Sequence, residues 1–292
     1  MAVATNELGA FLTHLRARQQ PADHGVVVTA RRRVSGLRRE EAAQLIGVSS
    51  EYYARLERGI ARSPSPAVLD SIAAVFGLSP IELAHLRQLA APVPHRAKAT
   101  RQRSASRSLR PQLRGLLDAM PGPALVSNHR FDVLGANRLA KAVFFDFDSA
   151  HQANLARFLF ADPESMRRYR DWPQIAEATV GQLRVARARY PHDEQLEQLV
   201  SDLMTDGHHF ARLWRGRDVA ERSFGTKRFW LDAVGALDLD YENLELPEDR
   251  ALRLVVFHAP PGSAAHDQLR ILASLDAPSV DRAAGRSAVA SD

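Results

Sequence analysis

The sequence predicts two domains of different class: an all-α domain of five short helices over residues 1–90, and an α+β domain with inserted helices over residues 109–275. Three observations predict it. Apolar residues recur at helical spacing through residues 1–90, with glycine or Ser-Pro pairs between the runs. Residues 91–108 hold almost no large apolar side chain but six cationic or ionisable groups, counting His95, which is the composition of an extended linker. Beyond residue 109, runs of strand period alternate with runs of helical period.

Charge divides along the same line. Residues 1–110 carry 17 Lys/Arg against 8 Asp/Glu, whereas the remainder carries 22 against 26, so a basic N-terminal third precedes a mildly acidic body. That asymmetry is expected when one domain meets a polyanion and the other does not. At 45% hydrophobic and 25% charged residues the composition is that of a soluble globular protein. No apolar run approaches the roughly 20 residues that span a bilayer, and Met1-Ala-Val-Ala-Thr-Asn-Glu7 lacks the order of a signal peptide. Absence of cysteine excludes disulfides, thiolate metal sites and a cysteine nucleophile. The simplest expected location is the cytoplasm.

Leu8, Phe11, Leu12 and Leu15 predict a first helix from Asn6 to about Gln19, with Asn6 as its cap. Pro21 to Gly25 breaks it, and the loop to Gly36 carries Arg31, Arg32 and Arg33, either a clamp on phosphate oxygens or a solvated charge run. A second helix runs from about Arg39 to Ile46 and ends at Gly47. Val48 enters the core and Ser49 caps a third helix, in which Tyr53 and Leu56 face inward. Ser49, Ser50, Glu51, Ala54 and Arg55 are left on the opposite side, and small Ala43 lets the two helices cross closely. The combination looks like a helix-turn-helix, whose second helix enters the DNA major groove; an αα-hairpin in any bundle is the plainer alternative. Arg62 follows in a loop that also suits a backbone contact. Ser65-Pro66 opens a fourth helix through Leu69, Ile72 and Phe76, and Ser79-Pro-Ile-Glu82 is a capping box opening a fifth.

Residues 8–90 resemble the XRE (Cro/C1-type) family of helix-turn-helix regulators. Gly36-Leu-Arg-Arg-Glu-Glu41, Tyr52-Tyr-Ala-Arg-Leu-Glu-Arg-Gly59 and Ser63-Pro-Ser-Pro66 are similar to its MmyB-like branch. The general family carries Ser/Thr and Gln where this chain has Arg38 and Arg39, so Arg39 either holds a phosphate or reads guanine. Position in the motif makes Ser49, Ser50, Glu51 and Arg55 the base-reading candidates. Glu51 accepts from cytosine N4 on one reading and serves the first turn of its helix on the other.

In the second domain, Leu113, Leu116, Leu117 and Met120 predict a short helix stopped by Pro121-Gly-Pro123. Residues 124–127 and 131–134 suggest a hairpin, and Asn137 to Phe147 turns helical; this order is how a PAS-like sensor domain begins. Helices are expected over 154–160, 172–190, 194–204 and 210–214. Lys227–Trp230, Leu237–Tyr241 and Leu252–His258 are spaced like an antiparallel sheet, the last apolar enough to be central. Residues 276–292 are read as a disordered tail.

This body also resembles the MmyB-like ligand-binding domain, on Pro121-Gly-Pro-Ala-Leu-Val126, Val133-Leu-Gly-Ala-Asn-Arg-Leu-Ala140, Asn154-Leu-Ala-Arg-Phe158, Arg212-Leu-Trp214 and Leu239-Asp-Tyr241. The resemblance implies a PAS-like sheet with an inserted helical subdomain and a pocket for an apolar small molecule, a fatty acid among the candidates. Phe144, Phe158, Trp172 and Trp214 are the aromatic ligand candidates; Asn137, Asn154 and Arg157 are the polar ones, an arginine being able to hold a carboxylate bidentately. Most buried aromatics are simply core, and a structural salt bridge explains the arginine equally well.

No phosphate loop, GxGxxG, GxSxG or HExxH motif occurs. His208-His209 with Asp206 and the pair Asp146 and Asp148 are read as polar turns, so no catalytic residue, metal ligand or cofactor is expected. The leading expectation is a homodimeric regulator, joined mainly through its C-terminal domain, that binds double-stranded operator DNA under control of an apolar effector, away from any membrane. The alternatives keep DNA binding but make the body a protein-interaction module or an enzyme.

Overall fold

A computed structural model describes residues 6–26, 34, 36–61, 63–91, 109–148, 153–216, 223–247 and 249–275. Arg31, Arg32, Arg33, Arg62, the expected linker and the expected tail lie outside the described residues.

The described chain forms two compact units. The first joins residues 1–106 with 156–163 and 172–222. Its N-terminal part is five helices: α1 (Glu7–Arg18), α2 (Arg39–Ile46), α3 (Ser50–Glu57), α4 (Pro66–Phe76) and α5 (Pro80–Ala90). A 3₁₀ turn at Pro21–His24 follows α1. The caps are those expected. Asn6 accepts from Gly9 N–H, Ser49 from Tyr52, Ser65 from Val68, and Ser79 with Glu82 closes a capping box. Leu12, Leu15, Leu37, Ala42, Ala43, Tyr53, Leu56, Ile72 and Leu86 make one core without exposed surface. The same unit contains α8 (Leu155–Ala161, apart from Leu155), α10 (Trp172–Arg189), α11 (Glu194–Asp206) and α12 (His208–Gly216).

In this division the inserted helices group with the N-terminal ones. The reason is the packing of α10 on α5. Arg187 of α10 donates to Glu7 of α1 at 3.2 Å while gripping Glu197 of α11 at 2.6 and 3.0 Å. The five N-terminal helices therefore share a compact unit with the inserted ones.

The second unit, residues 107–155, 164–171 and 223–292, is built on a five-stranded sheet in the order β2-β1-β5-β4-β3, every neighbouring pair antiparallel. The strands are β1 (Ala124–Asn128), β2 (Val133–Ala136), β3 (Phe224–Leu231), β4 (Gly235–Leu246) and β5 (Asp249–His258). The run expected to be central, β5, is the middle strand. Its period-two pattern splits the core: Val126 and Leu254 are paired on one face and pack against Leu109, Leu113 and Leu117 around α6 (Pro111–Ala119). Leu125, Tyr241 and Phe257 lie on the other, where Phe257 meets Phe144 at 5.3 Å between ring centres. The helix expected over 137–147 is only α7 (Arg138–Val143). Two helices were not foreseen, α9 (Glu164–Arg168) and α13 (Ala264–Leu275). α9 is too short to show a period, and no reading of the sequence assigned an element to residues 264–275, which lie between the last strand and the expected tail.

Candidate functional site

The turn between α2 and α3 follows from backbone chemistry. Gly47 sits at φ +82°, a left-handed conformation a side chain would strain, and its N–H closes α2 onto Ala43 and Gln44. Val48 N–H also returns to Ala43, and Ser49 opens α3. A second glycine permits the packing: a Cβ on Gly9 would meet the Glu57 carbonyl oxygen at 2.0 Å, so α1 reaches the end of α3 only because that atom is missing.

With Tyr53 and Leu56 wholly buried, α3 presents Ser49, Ser50, Glu51 and Arg55 as exposed side chains at its N-terminal end and outer side. The Ser49 hydroxyl already accepts from Tyr52 and keeps its proton to donate. Arg55 makes no side-chain hydrogen bond among the described residues, which leaves all five donors of its fork available.

Arg39 stands differently. Its Nε donates to Glu57 at 2.5 Å, while the other Glu57 oxygen takes Arg16 Nε at 2.7 Å. Arg16 also donates to the Leu37 carbonyl at 2.6 Å. The Glu57 carboxylate is 1% exposed and its hydrogen bond and charge raise the Arg39 pKa, whereas the Arg39 side chain is 57% exposed. Glu57 thus aims an otherwise free guanidinium outward beside the first turn of α2. Sequence reasoning missed Glu57; its only signal was a carboxylate at a position whose helical spacing demands burial.

The ligand candidates fall into two groups. Asn137, Phe144 and Asn154 belong to the sheet unit; Arg157, Phe158, Trp172 and Trp214 belong to the helical one. Asn137 has a different occupation from that expected. Its Oδ1 accepts from Ala124 and Ala140 N–H at 3.1 and 2.9 Å, and its Nδ2 donates to Leu117 and Gly122 carbonyls at 3.2 and 2.7 Å. All four of its side-chain hydrogen-bonding positions are spent on caps and turns. Asn154 likewise uses both amide protons, on Arg130 O and Asp132 Oδ1. Phe144 is a core ring among Phe147, Tyr169, Phe229 and Phe257.

In the helical unit Arg157 is paired with Asp202 at 2.5 Å, and Phe158 is buried. Trp172 and Trp214 are joined by a row of rings. Trp172 meets Phe160 at 5.9 Å, Phe160 meets Phe210 at 5.0 Å, and Phe210 stacks on Trp214 at 5.3 Å. Trp172 Nε1 is satisfied by the Leu159 carbonyl, and the Arg184 guanidinium covers the half-buried Trp214 at 5.1 Å. Neither Phe160 nor Arg184 was singled out from sequence.

One further buried group was overlooked. His85 of α5 is 3% exposed, stands edge-on to Phe11 at 4.9 Å, and has a buried Nδ1 without a hydrogen-bond partner. Burial, assisted by the charge of Arg184, lowers its pKa to about 4.

Comparison with known proteins agrees with this layout. Residues 7–86 match the family model of a helix-turn-helix domain. Residues 109–272 match that of the MmyB-like transcription regulator ligand binding domain. No curated protein matches the chain.

Proposed function

The chain belongs to the MmyB-like transcription regulators and is a DNA-binding regulator with a ligand-binding domain; from that premise we propose that its effector is an apolar small molecule, a fatty acid among the candidates, which tunes the grip of a homodimer on its operator. Observation carries the DNA half furthest at α3, whose exposed Ser49, Ser50, Glu51 and Arg55 stand on a helix held from behind by Tyr53 and Leu56. In this reading these four read base edges, Arg39 holds a phosphate at an angle set by Glu57, and Arg31, Arg32, Arg33 and Arg62 add phosphate contacts. Paired half-sites about 34 Å apart are the geometry such a dimer meets.

The effector half rests on the ring row Trp172–Phe160–Phe210–Trp214 with Phe158 and Arg157 nearby in the same unit. α10 contributes Trp172 to that row and also packs on α5, so an effector that favours one placement of α10 acts directly on the DNA-binding helices.

Selection of bound duplexes from a random DNA pool, followed by titration with and without medium- and long-chain fatty acids, tests both halves. A two-fold symmetric consensus whose affinity changes with the added acid is expected. Arg55→Ala is expected to cost about 1–3 kcal/mol and relax specificity at one base pair; uniform weakening on every duplex makes Arg55 a phosphate contact instead. Affinity indifferent to every acid tried sinks the choice of effector while leaving DNA binding standing.

A further inference from the structure

Within the sheet unit, half of one sheet face is open. Val126 and Leu254 lie on the face that α6 packs against. Cross-strand register carries that face on to Leu244 and the alternate residues before it on β4, and to Phe224, Thr226, Arg228 and Trp230 of β3. There Phe224, Trp230 and Leu244 stay 68, 46 and 49% exposed, so large apolar groups stand in water at both ends of the open half. Grouped exposure of this kind marks an interaction surface, where single scattered residues would not.

A partner strand cannot simply extend the sheet at the middle of β3. Tyr169 bridges Phe229, and the Arg170 N–H donates to the Arg228 carbonyl at 2.9 Å, so residues 169 and 170 already occupy that stretch of the edge. The face itself remains, and its centre carries both signs of charge. Arg228 stands 3.9 Å from Asp238, beyond hydrogen-bond distance, while Arg170 donates to Asp238 at 3.0 Å and Thr226 to Asp240 at 2.7 Å.

We propose that two copies of the chain meet on this half-face, packed sheet on sheet about a two-fold axis that runs between β3 and β4 along the strands. This rests on the homodimer reading above and fixes where the copies touch. Such an axis sets each residue of one strand against the second copy of its own cross-strand neighbour. Trp230 then covers Ala236, a large side chain on a small one, and Arg228 meets Asp238 once on each side of the axis. Thr226 faces Asp240, and Phe224 faces Glu242 with Leu244 the next residue on the same face of β4. An axis across the middle of the strands would instead stack Asp238 on Asp240, which their like charges oppose.

Sedimentation of the full-length protein over a concentration series tests this, with two charge variants run alone and mixed. Arg228→Glu brings carboxylates together across the axis and Asp238→Arg brings guanidinium groups together. Each variant alone is therefore expected to self-associate at least about tenfold more weakly than the parent, with unchanged circular dichroism. Mixing the two restores both opposite-charge pairs and is expected to recover the parental affinity, which no pairing within one chain can do. Trp230→Ala is expected to weaken association whether mixed or not. A dimeric parent whose variants keep its affinity, or folded variants that fail to recover on mixing, overturns the shared face and leaves the homodimer standing. A parent monomeric at every concentration removes the homodimer reading as well and leaves the carboxylates of the face to a basic partner.

Discussion

Two buried titratable residues carry more of the helical unit than their sequence positions suggest. Glu57 is held between Arg16 and Arg39, and a carboxylate 1% exposed is tolerable only because two guanidinium groups and their hydrogen bonds surround it. Glu57→Ala leaves the buried Arg16 without its counter-charge and is expected to cost about 3–5 kcal/mol in denaturant unfolding. Retention of full stability would mean that water replaces the carboxylate. His85 acts through pH. Its folded pKa of about 4 lies below the ordinary 6.5, so the unfolded chain takes up the proton first. Its contribution is complete above pH 6.5 and is lost as pH falls towards 4, by at most about 1.4 kcal/mol per pH unit. Unfolding measured across that window is expected to be less steep in pH for His85→Leu than for the parent; equal slopes would show that His85 titrates normally.

At the scale of elements, the caps did most of what could be anticipated. Asn6, Ser49, Ser65 and Ser79 were each legible because a cap and the N–H it receives lie three residues apart. Asn137 marks the limit of such local signals. Its N-cap bond to Ala140 is local, but three further bonds come from Leu117, Gly122 and Ala124, which no period in the sequence connects to it. Asn137→Ala is expected to cost about 2–4 kcal/mol, from a lost cap and unsatisfied buried groups. Thermal unfolding should report it, whereas a ligand contact would leave stability nearly unchanged. Helices α9 and α13 were not foreseen, one too short to display a period and the other placed next to a stretch of tail-like composition.

For the whole molecule, DNA affinity is expected to fall log-linearly with salt, and Arg39→Ala to reduce that slope by about one, the signature of a single phosphate contact. An unchanged slope would confine Arg39 to its pairing with Glu57. Sequence by itself determined the helix-turn-helix, its glycine turn, the outward residues of α3, the central position of β5 and the order of two family-matched regions. Each is written in residues near one another in the chain, through spacing, caps and strand alternation. Tertiary structure alone decided that Glu57 aims Arg39, that Asn137 is spent on the backbone, and that the inserted helices pack with the N-terminal ones. The bonds responsible cross long stretches of chain, 41 residues between Arg16 and Glu57 and 180 between Glu7 and Arg187, and only closure of the chain into its packed form brings such groups within reach.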